Sequence, residues 1–321
     1  MTFETVHKSN LAHPPLLMKD GFGPQTLSAQ RTLRGSAECS GIGVHSGQKV
    51  TLRLLPAAED TGIVFVRTDL VNGARIIPAQ WDYVVDTQLC TVIGNQHGTK
   101  VATIEHLMAA LHAYGIDNAT IEIDGSEVPV MDGSADPFVF LIEVAGVVEQ
   151  KAPRREIEIL LPVEVTHNGK RAALTASPEA RYSVDISFDR APIHHQHYEF
   201  VLSPHAFKSE ISRARTFGFF EEVTQMKEAG FGRGGSLDNA IVIKDDTIMN
   251  AEGLRYNNEF VRHKLLDAVG DLALAGAPIR GHFHGYCSGH AMNNRLLRAL
   301  FADPLAWRYI EAEESDNRMI A

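Results

Sequence analysis

Apolar and polar positions begin to alternate at Gln30, and residues 37–41, 49–55 (KVTLRLL) and 62–67 (GIVFVR) have the period and composition of strands. Between the first two lies GIGVHSG, residues 41–47. Its glycine spacing differs from a dinucleotide loop, and a strand follows where that loop needs a helix, so a hairpin connection is expected, the alternative being a polar role for His45 near a site. The period then lengthens. TIEHLMAALHAY, residues 103–114, predicts a helix with Ile104, Leu107, Met108 and Leu111 on one face, Thr103 as cap and Gly115 as stop. NATIEIDG predicts a strand, and SADPFVFLIEVAGVV a second helix with Asp136 as cap and Pro137 at its first position. The charged, proline-bearing EQKAPRRE, residues 149–156, reads as a linker.

After it the order repeats. LLPVEV leads to a turn at Gly169, and KRAALTASP echoes QKVTLRLLP, with Gly47 and Pro56 spaced as Gly169 and Pro178 are. YSVDISFD takes the place of GIVFVRTD; a helix over 259–275, a strand over 281–287 and a helix over 291–301 follow. Such αβ layers cannot bury both faces alone, so two α+β units packed through their helices are expected. The second half also carries residues 216–243, with Phe219, Phe220, Val223 and Met226 near helical spacing and a glycine-rich loop. That insertion is either an extra helix over the core or a wall for a lipid chain.

Composition acts mainly by exclusion. At 321 residues, 44% hydrophobic and 22% charged, the chain has globular proportions, and its formal charge of -10 argues against nucleic-acid or anionic-membrane binding. Cys39, Cys90 and Cys287 are scattered, which points to free thiols and a reducing compartment. Residues 1–25 lack the apolar core of a signal peptide and no run is long enough to span a bilayer, so a cytoplasmic protein is expected.

The strongest chemical signal is EFVRHKLLDAVGDLALAG. On a helix His263 and Asp267 share a face one turn apart, as the two histidines of HExxH helices do, and Asp271 follows one turn later. The pattern fits a metal-chelating pair or a surface salt-bridge stripe. Two ligands leave zinc under-coordinated, and Glu105-His106 at the start of the corresponding helix in the first half offers a third. Adjacent helical residues point about 100° apart; if His106 binds metal, Glu105 faces the metal-bound water as general base. A His₂Asp set with one open position is the pattern of catalytic zinc, although a Glu-His pair is also common on helix surfaces. In GHFHGYCSGHAMNN, His290 precedes a helix, where it can protonate a leaving amine or stabilise an oxyanion with Asp271 fixing its tautomer. His282 and His284, alternating on one strand, form a rival metal pair. HHQH at 194–197, after Pro192, reads as a polar loop.

Taken together, QRTLRGSAECSGIGVHSG, TIEHLMAALHAYGIDNATIEIDGSEVPVMDGSADPF, SRARTFGF, GGSLDNAIV, EFVRHKLLDAVGDLALAG and SGHAMNN resemble, over residues 29–302, the bacterial UDP-3-O-acyl-N-acetylglucosamine deacetylases of lipid A synthesis. The resemblance implies an α+β fold in which two duplicated domains, each with a small insertion, form a β-α-α-β sandwich. The expected boundaries are an extension at 1–28, domains at 29–150 and 157–302, an acyl-passage insertion at 216–243 and a tail at 303–321. It implies one zinc ion, with iron(II) as the alternative, on His106, His263 and Asp267. Glu105 would be the base, His290 the acid or electrostatic partner braced by Asp271, and Thr216 an oxyanion contact. Lys264 would lie in the substrate pocket, Phe219 along the acyl passage, and Phe188 and Lys170 against the nucleotide-sugar. The expected partner is a UDP-sugar bearing a fatty acyl chain, and the expected state a monomer. Against this stand a non-catalytic sugar-nucleotide binder, an amidase for another N-acyl substrate, and a metal-free structural protein.

Overall fold

The computed structural model describes residues 29–71 and 73–311. The expected extension at 1–28 and the end of the expected tail, 312–321, lie outside the described residues.

The period-two segments form two sheets. In the first, β1 (Ala37–Ile42), β2 (Lys49–Pro56), β3 (Ile63–Arg67), β4 (Ile76–Pro78) and β5 (Ala119–Ile123) lie in the order β1-β2-β5-β3-β4. In the second, β6 (Val163–His167), β7 (Lys170–Thr175), β8 (Ala180–Ser187), β9 (His195–Val201) and β10 (Ile279–Tyr286) follow the order β6-β7-β10-β8-β9. β5 runs antiparallel to β2 and parallel to β3; β10 runs antiparallel to β7 and parallel to β8. The neighbour scheme is thus the same in both. Gly47 (φ 66°) and Gly169 (φ 75°) make the corresponding hairpin turns in the left-handed region, which costs residues with a Cβ.

Helices α1 (Glu105–Ala113), α2 (Asp136–Ala145), α3 (Phe220–Glu228), α4 (Glu259–Ala273) and α5 (His290–Ala302) follow the longer period. α1 and α4 are buried almost all round, as helices clamped between two sheets must be. α1 packs on α4, α2 on α1 and β1, and α5 on α4, β6 and β7, so the layers run sheet, helices, helices, sheet. No helix among the described residues is long and apolar enough to cross a membrane.

α1 and α4 meet at Gly270, where an added Cβ would fall 1.9 Å from the Glu105 carbonyl oxygen. Gly270→Ala must therefore force the helices apart. We expect a loss of about 1–3 kcal/mol in denaturant unfolding, as for other overpacked cores, and reduced activity because the displaced backbone carries Glu105.

Several local expectations need correction. Residues 149–156 are not a linker: Val147–Pro153 pairs with Ala29–Leu33, and Arg155–Ile159 extends the second sheet beside β10. Their polar side chains are used, Gln150 bonding Asn118 and the Ala57 carbonyl. Trp307–Glu311, expected in the tail, pairs with Arg155–Ile159, and Trp307 packs edge-on against Phe301 at 5.0 Å. His195, Gln196 and His197 lie in β9, not in a loop. Thr103 does not cap α1; it sits at φ 58° and its hydroxyl donates to Glu127 at 3.1 Å. Asp136 is the first residue of α2 rather than its cap. The insertion forms a small sheet (Phe217–Phe219, Ile241–Lys244, Thr247–Ile248) beside α3 and so runs past residue 243.

Candidate metal centre

The crossing of α1 and α4 brings three donors together. One ligand atom each from His106, His263 and Asp267 lie within 4.8 Å of one another, and all three residues are buried. Asp267 Oδ1 stands 3.3 Å from His263 Nε2 and 3.6 Å from His106 Nε2. His263 Nδ1 donates to the Ala214 carbonyl at 3.0 Å, which leaves the Nε2 lone pair facing the cluster. Burial drives the His263 pKa down to about 3, so the ring is neutral and able to ligate. Burial alone would raise the Asp267 carboxyl, but His263 and the Lys264 ammonium, 2.7 Å from Oδ2, hold it well below its ordinary value. One anion and two imidazole lone pairs in a dry pocket fit a divalent transition metal.

A second group adjoins this one. Glu105, at the N-terminus of α1, is buried; Thr91 N–H donates to its Oε2 at 3.1 Å, and His290 Nε2 lies 3.7 Å from its Oε1. Burial raises the Glu105 carboxyl against the lowering influence of His290 and His106. His290 Nδ1 donates to Asp271 Oδ2 at 2.9 Å; Asn293 Nδ2 (2.8 Å) donates to the same oxygen and the Thr91 hydroxyl (2.5 Å) to Oδ1. Burial would lower the His290 pKa, but Asp271 and Glu105 outweigh it and raise it to about 10. The imidazole is therefore cationic at neutral pH, 3.7 Å from the Glu105 carboxyl.

The profile of the UDP-3-O-acyl N-acetylglycosamine deacetylase family matches residues 30–302. The chain belongs to this family. It is 48% identical over 287 residues to a UDP-3-O-acyl-N-acetylglucosamine deacetylase of Myxococcus xanthus, covering 89% of this chain and 91% of the relative. A deacetylase of the same name from Phenylobacterium zucineum is 50% identical over 279 residues, 87% of this chain and 95% of its own length. One from Neisseria gonorrhoeae is 48% identical over 292 residues, with 90% and 95% covered.

The other residues implied by the deacetylase resemblance are placed unevenly. Thr216 lies two residues beyond Ala214, and its N–H donates to the Gly133 carbonyl at 2.8 Å. Phe219 and Phe188 meet tilted at 5.8 Å, Phe188 and Phe217 edge-on at 6.1 Å, and Phe217 lies 6.3 Å from the His263 ring, so an aromatic row leads to the His106–His263–Asp267 cluster. Lys170 is exposed beside the Gly169 turn, with the adjacent Arg171 paired to Tyr286 at the end of β10. His282 and His284 do not join the centre; they bond Ser183 at 2.7 Å and Asp185 at 2.8 Å.

Sequence reasoning missed three supports. Thr91 bonds both Glu105 and Asp271, and no local pattern marks it. Asn293 was visible within SGHAMNN but had no role. Glu127 accepts the N–H groups of His45 and Ser46, both at 2.8 Å, and so folds the 43–47 loop toward the site. His45 Nδ1 is buried without a hydrogen-bond partner among the described residues, and its ring stands edge-on to Phe231 at 6.1 Å.

Proposed function

We propose that the protein removes the N-acetyl group of a UDP-3-O-acyl-N-acetylglucosamine by hydrolysis, releasing acetate, in the pathway to lipid A. The observation that carries this reading is the convergence of His106, His263 and Asp267 beside Glu105 and the Asp271-braced His290. His106, His263 and Asp267 would hold zinc, or iron(II), as His₂Asp sets accommodate either. When bound, the ion would lower the pKa of a water and polarise the acetamide carbonyl.

The chain's own residues do the rest. Glu105 takes a proton from the water as the water oxygen bonds to the carbonyl carbon. His290 holds positive charge near the developing oxyanion, with its Nδ1 fixed by Asp271 so that Nε2 faces Glu105. Thr216 would add a hydroxyl contact to the oxyanion. As the C–N bond breaks, the nitrogen leaves protonated, the proton coming from the Glu105–His290 pair. Lys264 keeps Asp267 ionised and presents its ammonium to the pocket.

Phe219, Phe188 and the insertion form the proposed acyl wall, while Lys170 offers a charge to the nucleotide-sugar from the Gly169 turn. The shared strand scheme supports residues 29–150 and 157–302 as repeats of one unit. Three free cysteines, one of them buried, support a cytoplasmic setting.

The deciding assay is acetate release from the acylated UDP-sugar with and without a chelator. Release that stops with chelator and returns with zinc is expected; release indifferent to chelator would sink the metal assignment. Val223→Gln/Met226→Gln, which makes the half-buried face of α3 polar, tests the acyl wall. Each buried methylene is worth ~0.8 kcal/mol, so kcat/KM for a long-acyl substrate should fall about tenfold while a short-acyl analogue is unaffected. Equal loss on both would place the acyl chain elsewhere.

A further inference from the structure

The histidine-rich segment that follows Pro192 lies on the outer face of the second sheet. β9 pairs antiparallel with β8 so that His197 stands opposite Asp185 and His195 opposite Ser187. Side chains alternate along a strand, so His195, His197 and Asp185 share one face, while Val184 and Ile186 point into the core. Asp185 Oδ1 is met by His197 Nδ1 at 3.1 Å and His195 Nε2 at 3.4 Å. Its other oxygen is already committed: Oδ2 accepts from His284 Nε2 at 2.8 Å, and His284 Nδ1 accepts from Arg171 at 2.9 Å.

We propose that His195, His197 and Asp185 form a second metal site, for a divalent transition ion of the zinc, nickel or copper class, on the outer face of the second sheet. A His-x-His pair on one strand and a carboxylate on its neighbour supply three ligands of the type those ions take. Tetrahedral zinc with bonds of about 2.0–2.2 Å places its ligand atoms ~3.4 Å apart. The two histidine-to-Oδ1 separations, 3.1 and 3.4 Å, already have that spacing.

The support around the site is also in place. His284 and Arg171 orient the carboxylate from behind, as outer partners orient metal ligands. Burial would raise the Asp185 carboxyl, yet the hydrogen bonds from His284 and His197 hold it below its ordinary value, so it is an anion at neutral pH. On metal binding His197 Nδ1 gives up the proton it now directs at Oδ1 and offers its lone pair instead. The one rearrangement required is a swing of the His195 ring, whose side chain is 61% exposed, to bring Nε2 alongside His197 Nδ1. This site lies apart from the His106 centre, which is enclosed by helices, and it does not depend on the deacetylase reading.

The test is metal content of the tag-free full chain, loaded with zinc and then dialysed against metal-free buffer. His195→Gln/His197→Gln changes two exposed side chains and leaves the fold intact, so it should carry one zinc per chain fewer than the wild type, whatever the His106 centre holds. Acetate release should be unchanged, and Asp185→Asn should lose the same equivalent. Equal zinc in wild type and double variant would overturn the proposal. So would a fall in acetate release in step with the lost zinc, because the missing ion would then have come from the His106 centre.

Discussion

Glu105→Gln should retain the centre's metal and the wild-type melting temperature while kcat falls about 10²–10⁴-fold, the usual worth of a positioned general base. Glutamine matches glutamate in size, and its carbonyl oxygen can still accept the Thr91 N–H that now donates to Oε2 at 3.1 Å. What it cannot do is take a proton from water. Asp271, the larger of the two carboxylate influences on His290, remains on its Nδ1 and keeps the ring oriented, so the main defect is in proton transfer. The pH dependence provides a second readout. Burial raises the Glu105 carboxyl, and a base works only when deprotonated. Wild-type kcat/KM should therefore rise with pH along a limb above the ordinary glutamate value of about 4.3, and the variant should lack that limb. A variant with full turnover would hand the proton to another group. One that lost its metal would make Glu105 a ligand.

The two halves of this site were not equally legible in the sequence. His263 and Asp267 could be paired from spacing because both sit on α4, where helical geometry fixes their separation. His106 could not, because its place beside them depends on how α1 crosses α4. That crossing rests on Gly270, whose lack of a side chain admits the Glu105 carbonyl, and in sequence it is one more glycine in an apolar helix. Thr91 is harder still. It is an ordinary threonine before a short strand, and it acquires a role only when three-dimensional packing brings Glu105 and Asp271 to it.

Exposed strands misled for a different reason. His195, His197 and Glu199 alternate with Gln196, Tyr198 and Phe200, yet proline and a run of histidines gave β9 the look of a loop. One face of an antiparallel strand pair can be wholly polar, so the apolar half of the alternation was too thin to register. Residues 149–156 failed likewise: Glu149, Lys151 and Arg155 face outward while Arg154 and Glu156 are buried charges, Arg154 bonding Asp117. No apolar alternation therefore marks the strands that tie both ends of the described chain to the body of the protein. The long apolar helices and the buried strands on either side of them, by contrast, were readable because burial on every side imposes composition as well as period.

Asp267→Ala should cost more than the loss of one ligand in three. The carboxylate is the only anion among His106, His263 and Asp267, and it also neutralises Lys264 at 2.7 Å. Without it the pocket presents two imidazoles and an unpaired ammonium to an incoming cation, which repels the ion it should bind. Metal content should drop by one equivalent per chain, leaving any ion on the outer sheet face in place. Metal assistance to carbonyl attack is worth several kcal/mol, and at ~1.4 kcal/mol per decade a loss of ~4 kcal/mol is about 10³-fold in rate. Added zinc should raise the melting temperature of the wild type through binding to the native state alone, and the part of that rise due to this centre should vanish in the variant. Asp267→Asn separates charge from shape: it keeps an oxygen in place but not the anion, so near-normal zinc binding there would mean that geometry rather than charge holds the ion. If Asp267→Ala itself kept its full metal complement while losing activity, Asp267 would be acting on substrate through Lys264, and the ligand set would have to be built without it.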